Sequence, residues 1–500
     1  MISRKQLVSY MVAAGLLLTA AMPAWAQKVS HELPYEDLQR FARVFAAVKN
    51  NYVEPVSNQA LIASAIKGMV SDLDPHSSFL DEDEFEEMKE STDGEFGGLG
   101  IEIGAEQGLV KIIAPIEDTP AAKAGIMPGD LIVKINGEST EGKPLSDVIK
   151  QLRGEPGSEI VLTVKRSSSA EPLDIKIVRD IIQVRSVRSK RLPDDIGYVR
   201  ISQFQERTGA DLAQQLTDLG KNKPLKGLVL DLRNDPGGLL NAAIGVSAAF
   251  IEPNKLVVST KAREQEMQRY LAVSSEYAPD GSDYLKNLPD WTRKVPLVVL
   301  INVGSASASE IVAGALQDYK RATIMGNRSF GKGSVQVVMP LDDNTGIKLT
   351  TARYYTPLGR SIQATGIEPD IIVSDTATGD LFSFPREADL NDHLNNEQAP
   401  KTDAQGNINP EKMSEMLKEP EEMFEFGSED DFQLQQAINH LTGKKVDQGV
   451  ITKEKPKGLT KEEMEAVNPS TESTTTDAGK LPNSKGDGVA GDKGAEKQKK

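Results

Sequence analysis

Pro296-Leu-Val-Val-Leu-Ile-Asn302 runs directly into Val303-Gly304-Ser305-Ala306-Ser307-Ala308-Ser309-Glu310, and that into Ile311-Val-Ala-Gly-Ala-Leu-Gln-Asp-Tyr319. The first part is short, continuous, apolar and β-branched, which predicts a buried strand. The last carries Ile311, Val312, Ala315 and Leu316 at helical spacing. The small residues between them are the handover from strand to helix, and Ser307 falls on it. There the unpaired backbone N–H groups and the helix dipole favour a developing negative charge. The pattern recurs upstream, where Gly227-Leu-Val-Leu-Asp-Leu232 reads as a buried strand and Leu239 to Phe250 as a helix. Two strand–turn–helix units of this kind predict an α/β core.

Working outward, Lys332 comes 25 residues after Ser307, and Gln336 four further on. Lys332 lies between Gly331 and Gly333, ahead of a segment that reads as a strand. Alternation places Lys332, Ser334 and Gln336 on one face. A serine nucleophile needs a base, and a lysine serves when burial in an apolar pocket lowers its pKa. The chain has four histidines, His31, His76, His393 and His440, none of them in these segments. It has no Cys, which excludes thiol chemistry, and no His-Glu-x-x-His zinc motif. Between the upstream strand and its helix, Asn234-Asp-Pro-Gly-Gly238 makes a turn that exposes backbone N–H groups, as an oxyanion hole requires. Arg233 and Asp235 fit an ion-pair role equally well.

The ordered set of motifs resembles the carboxyl-terminal processing (tail-specific) serine proteases, from about residue 35 to 375. The set begins with Leu73-Asp-Pro-His-Ser-Ser-Phe79, Leu230-Asp-Leu-Arg-Asn-Asp-Pro-Gly-Gly238 and the Ser307 cluster. It continues with Gly326-Asn-Arg-Ser-Phe-Gly-Lys-Gly-Ser-Val-Gln336, Tyr355-Thr-Pro-Leu-Gly-Arg-Ser-Ile-Gln363 and Gly366-Ile-Glu-Pro-Asp370. The resemblance implies a crotonase-like α/β protease core with an inserted PDZ domain and helical N- and C-terminal regions. It implies Ser307 as nucleophile, Lys332 as general base and Gln336 as holder of the lysine amine, with no cofactor and no metal. The Ala308 amide with that of Gly237 or Gly238 would form the oxyanion hole, Gly237 being preferred. Residues 94–166 resemble a PDZ domain, which takes a peptide as an added strand and its carboxylate in backbone N–H groups. Gly98-Leu99-Gly100-Ile101 would be the carboxylate-binding loop, with Ile101 and Ile103 on the apolar pocket. Either Arg153 or Arg166 would couple the PDZ domain to the active site.

The implied function is an exported serine endopeptidase acting on protein substrates with accessible C-termini. Two rivals fit parts of the chain. One is a PDZ scaffold with an inactive core, opposed by the intact Ser307, Lys332 and Gln336. The other is an acyl-thioester enzyme of crotonase-like architecture, opposed by export and by the PDZ segment.

Residues 1–26 read as a cleaved signal peptide: Arg4 and Lys5, an apolar stretch, then Ala24-Trp-Ala26 before Gln27. This predicts a periplasmic protein with no stable membrane span. The net charge of −16 argues against nucleic acid as a partner. Expected boundaries are a helical cap or oligomerisation region at 27–92, PDZ at 93–170 and protease core at 171–376. A partly helical C-terminal region at 377–443 and a disordered polar tail at 444–500 follow. Self-association and an activating adaptor protein are further expectations from the resemblance. The polar insertion 262–294, with Tyr270, Tyr277, Tyr284 and Trp291, either lines the substrate entrance or is a surface excursion.

Overall fold

The computed structural model describes residues 34–399 and 424–451, apart from 107, 170, 222, 279 and 383. The expected signal peptide and the expected tail from residue 452 on lie outside the described residues. The chain divides into two compact units, residues 1–89 with 336–351, and residues 90–335 with 352–500.

The larger unit is built on a six-stranded sheet. Ile196–Ile201 pairs antiparallel with Val187–Leu192 and parallel with Gly227–Asp231. Leu297–Ile301, Thr323–Gly326 and Ile371–Ile372 then add in parallel. Leu228, Leu230, Val299 and Ile301 face one apolar cluster, which the helices Thr208–Gly220, Leu240–Ala248 and Ala308–Asp318 fill. Val229, Val298 and Leu300 face the other, closed by Leu434 and Ala437 of the helix Phe432–Leu441. A sheet covered on both faces needs no polar alternation, which is why its strands read as unbroken apolar runs. Three parallel neighbours end on the same edge, at Asp231, Ile301 and Gly326. The turns that follow carry the residues of interest, as parallel sheets commonly arrange.

The second sheet of this unit is antiparallel, in the order Ile101–Glu106, Leu109–Pro115, Leu131–Ile135, Glu159–Lys165, Leu173–Val178. Its core packs Ile112, Ile132, Leu162 and Val164 against Val148 and Leu152 of the helix Leu145–Leu152. Leu173–Val178 pairs with Glu159–Lys165, so this sheet runs past the expected boundary at residue 170. The insertion is more than a surface excursion. Tyr270, Tyr277, Tyr284 and Trp291 pack against the main core. Gly209 and Gly245 have no room for a Cβ beside the Tyr284 hydroxyl. The start of the expected tail is also built in, since Val446 packs on the second cluster and the Gln448 carbonyl accepts the Ser374 N–H at 3.0 Å.

In the smaller unit the helices Tyr35–Asn51 and Asn58–Ser71 precede Ser78–Leu80, which pairs antiparallel with Gly346–Lys348. Tyr35–Asn51 buries none of its residues and leaves Leu38, Phe41 and Val44 exposed. Among the described residues no helix is long and apolar enough to cross a membrane.

Candidate active site

The turns after Asp231 and Ile301 are laced together. Ser305 Oγ donates to the Leu232 carbonyl (2.7 Å), and Ser309 Oγ donates to that of Asp235 (2.9 Å). The Asn302 side chain donates to Asn234 Oδ1 and accepts the Asn234 N–H, at 2.7 and 2.9 Å. Ser305 and Ser309 are each 0 % exposed, whereas Ser307 is part-exposed. The three serines of the cluster thus divide: two fasten neighbouring turns, and one reaches the surface. Ser307 caps the helix Ala308–Asp318 with φ 54° and ψ −110°, a strained pose for a residue with a side chain.

Glu310 is the centre of this arrangement, and the sequence reading assigned it no role. Its Oε2 accepts the backbone N–H of Ser307 (2.8 Å) and of Lys332 (2.9 Å). Its Oε1 accepts the Gly331 N–H (2.7 Å) and the Ser329 hydroxyl (2.6 Å). Burial pushes its pKa up to about 7, against the pull of those four donors. Tyr354, 1 % exposed, shares its one hydroxyl proton between the Ser307 carbonyl (3.1 Å) and that of Lys332. Burial, and then the charges of Glu310 and Glu387, hold its phenol well above the usual range. The Gly333 N–H donates to Gln363 Oε1 (2.8 Å), and Gln363 Nε2 donates to the buried Glu387 (2.7 Å). The main chain on both sides of part-buried Lys332 is therefore held by buried side chains. The only local signal for Glu310 was the Ser-x-x-Glu spacing of a capping box, and Tyr354 and Glu387 had none.

Gly237 lies directly against Ser307. A Cβ there would come within 2.8 Å of both Ser307 Cβ and the Ala308 nitrogen, and its φ is +96°. Its N–H, however, donates to Asp235 Oδ1 (2.9 Å), an Asx turn. Among the described residues the Gly238 N–H has no acceptor, and Ala308 opens its helix with the unpaired N–H of a first turn. Asp235 is buried, with Oδ2 unpartnered, and burial pushes its pKa up to about 8.

Gln336 belongs to the smaller unit. Its Nε2 donates to Thr350 Oγ1 (3.1 Å), and the Thr350 hydroxyl donates to Asp74 Oδ1 (3.0 Å). Burial would raise the Asp74 pKa, but bonds from Ser77, His76 and Thr350 hold it below the usual range. An ionised carboxylate only accepts, so Thr350 spends its proton there and accepts from Gln336. That polarity turns the Gln336 carbonyl away from Thr350. The His76 backbone N–H donates to Asp74 Oδ1 (2.9 Å).

In the antiparallel sheet Leu99 is buried, and Gly100 sits at φ +75° where a Cβ would strike Thr119. Gly98 ends a strand paired with Asp180–Gln183, and Ile101 and Ile103 are part-buried on the core. Arg166 is committed within this sheet to Asp130, at 2.8 and 2.7 Å. Arg153 instead reaches Glu90 of the helix Glu82–Asp93 and lies over the Phe96 ring at 5.1 Å. Arg179 went unnoticed in the sequence. It is buried, with its guanidinium on the Gln151 and Leu152 carbonyls that end the helix Leu145–Leu152.

An α/β core of this kind, joined to a PDZ domain, is the architecture of a serine-type processing peptidase. Family models match accordingly: peptidase family S41 at residues 195–373, a PDZ domain at 111–166, and the activating protease CtpB N-terminal domain at 14–84. A carboxy-terminal-processing protease of Bartonella bacilliformis is 48% identical over 366 residues, 72% of this chain and 81% of that protein. Carboxy-terminal processing protease CtpB of Bacillus subtilis is 35% identical over 359 residues, 71% of each chain. A solved photosystem II D1 C-terminal processing protease is 31% identical, covering 67% of this chain and 93% of that one, with a TM-score of 0.38. The chain belongs to the carboxy-terminal-processing proteases of peptidase family S41.

Proposed function

We propose that this chain is an exported serine endopeptidase that holds the C-terminal segment of a protein substrate in its PDZ domain and cleaves it through an acyl-enzyme on Ser307. The observation that carries the reading is the division among the serines. Ser305 and Ser309 are spent on backbone carbonyls, and Ser307 stands part-exposed at a helix N-terminus.

In this mechanism neutral Lys332 takes the Ser307 proton while Oγ attacks the scissile carbonyl carbon. The oxyanion forms against the Ala308 and Gly238 amides. The Asx turn favours Gly238 over Gly237, whose N–H is already engaged. Collapse breaks the C–N bond, and the Lys332 ammonium returns the proton to the departing amine. Water, deprotonated by Lys332, then clears the acyl group and restores Ser307. The family resemblance assigns Gln336 to hold the lysine amine. These steps call on no metal or cofactor.

The peptide would add alongside Ile101–Glu106, with its carboxylate at Gly98-Leu99-Gly100-Ile101 and its last side chain toward Ile101 and Ile103. Arg153 would couple this domain to the core, since Arg166 is tied to Asp130. The apolar face of Tyr35–Asn51 supports self-association, and an activating adaptor protein and periplasmic residence complete the reading.

Cleavage of an unfolded reporter by the full chain tests it, with its C-terminus either free or amidated. The reading predicts cleavage of the free form, weak cleavage of the amidated form, and none by Ser307→Ala. Equal cleavage of both forms would remove the role of the PDZ domain.

A further inference from the structure

We infer that Glu310 and Tyr354 are positioning residues that clamp the nucleophile to its base. The carboxylate holds the amide N–H groups of Ser307 and Lys332, and the phenol holds their carbonyl oxygens. The inference rests on the reading of Ser307 and Lys332 as the reacting pair.

The two residues are 25 apart in the chain and lie on different turns, so local geometry cannot fix one against the other. Lys332 is flanked by glycines, and Gly331 takes φ +102°, so local sterics restrict the backbone of this segment little. Ser307 holds a strained φ of 54° that its surroundings must impose. The same two groups meet both needs. One oxygen atom, Glu310 Oε2, accepts both N–H groups, at 2.8 and 2.9 Å. One hydroxyl, that of Tyr354, serves both carbonyls. Both side chains are buried, and both sit on regular elements, the helix Ala308–Asp318 and the strand Gly346–Tyr355. Helix capping alone would explain only the bond to the Ser307 N–H. The bonds to Ser329, Gly331 and Lys332 have no capping function, yet they take the rest of the carboxylate's capacity. A glutamine here would offer one accepting oxygen and turn an NH₂ toward two donors.

Kinetics of the full chain on a peptide reporter test the clamp, with Glu310→Gln and Tyr354→Phe compared with wild type, Ser307→Ala and Lys332→Ala. Thermal unfolding and the rate of Ser307 labelling by an alkyl fluorophosphonate are measured alongside. A misplacement of the reacting pair predicts a fall of about 100-fold in kcat for Glu310→Gln, with KM within about threefold. For Tyr354→Phe, loss of one neutral hydrogen bond predicts about tenfold. Labelling falls in parallel while the folded fraction stays at the wild-type level. Should Glu310→Gln fail to fold, Tyr354→Phe decides alone. Wild-type kcat per folded molecule in the folded variants, with Ser307→Ala and Lys332→Ala inactive, overturns the clamp only. Cleavage that survives Ser307→Ala overturns the underlying reading, and the clamp with it.

Discussion

Ser307 holds its backbone at φ 54°, a pose that costs about 1–3 kcal/mol and persists only where neighbours impose it. The serines on either side of it fasten neighbouring turns and the middle one is the proposed nucleophile, which makes their substitutions separable. Ser305→Ala and Ser309→Ala each leave a buried carbonyl without its donor and should cost about 1–3 kcal/mol in urea unfolding, with kcat per folded molecule largely kept. Ser307→Ala should do the reverse, abolishing turnover at unchanged stability. Asp235 gives a pH signature. Its pKa is pushed up from 3.8 to about 8, so the folded state binds a proton that the unfolded state releases. Stability from this group is complete below pH 3.8 and is lost as pH rises toward about 8. Asp235→Asn keeps an acceptor for Gly237 without the titration. Its melting temperature should therefore gain on wild type between pH 5 and pH 8, and a constant difference would refute the assignment. At this scale the sequence was only partly legible. Small residues at a strand–helix junction pointed to the cluster, but spacing alone did not separate its serines. The partners of Tyr354 come from tertiary packing, which no local pattern encodes.

At the scale of elements, the turn that carries Gly237 and Gly238 is anchored from below by Arg233, which is 0 % exposed. Its guanidinium bonds Asp231 (2.9 and 2.6 Å), Asp431 (2.8 and 2.6 Å) and Gln433 (3.0 Å), and faces the Phe426 ring at 4.5 Å. Asp431 is also the N-cap of the helix Phe432–Leu441, accepting the Leu434 N–H. The C-terminal helix and the glycine turn after Asp231 are thus fastened through one buried ion cluster. Asp431→Ala strands part of a buried charge and should cost about 3–5 kcal/mol in urea unfolding. A loss below about 1 kcal/mol would mean that Asp231 alone neutralises Arg233. The helix lies within the region expected to be partly helical, and Phe432, Leu434, Ala437, Ile438 and Leu441 have helical apolar spacing. Its target was not legible, because Arg233 and Asp431 are 198 residues apart. The paired strand–turn–helix units were the most legible feature, since strands buried on both faces and interrupted by glycine turns leave an unambiguous pattern.

For the whole molecule, Leu38, Phe41 and Val44 give an apolar face that no side chain among the described residues buries. If that face mediates self-association, Phe41→Glu should lower the mass measured by light scattering, whereas an unchanged mass would place the contact elsewhere. Domain order was legible from motif order, and the boundaries were not. Leu173–Val178 completes the antiparallel sheet because it alternates in register with Glu159–Lys165, a pairing that the expected boundary had cut away. Val446 and Gln448 dock on the core although their composition resembles the tail beyond them. The central claim for the molecule is that Ser307 is the nucleophile and Lys332 its base. The most direct test is to label the full chain with an alkyl fluorophosphonate and locate the adduct by peptide mass, in wild type and in Lys332→Ala. The account predicts one adduct, on Ser307, lost in Lys332→Ala. An adduct on another serine, or one on Ser307 that forms as fast without Lys332, would contradict it.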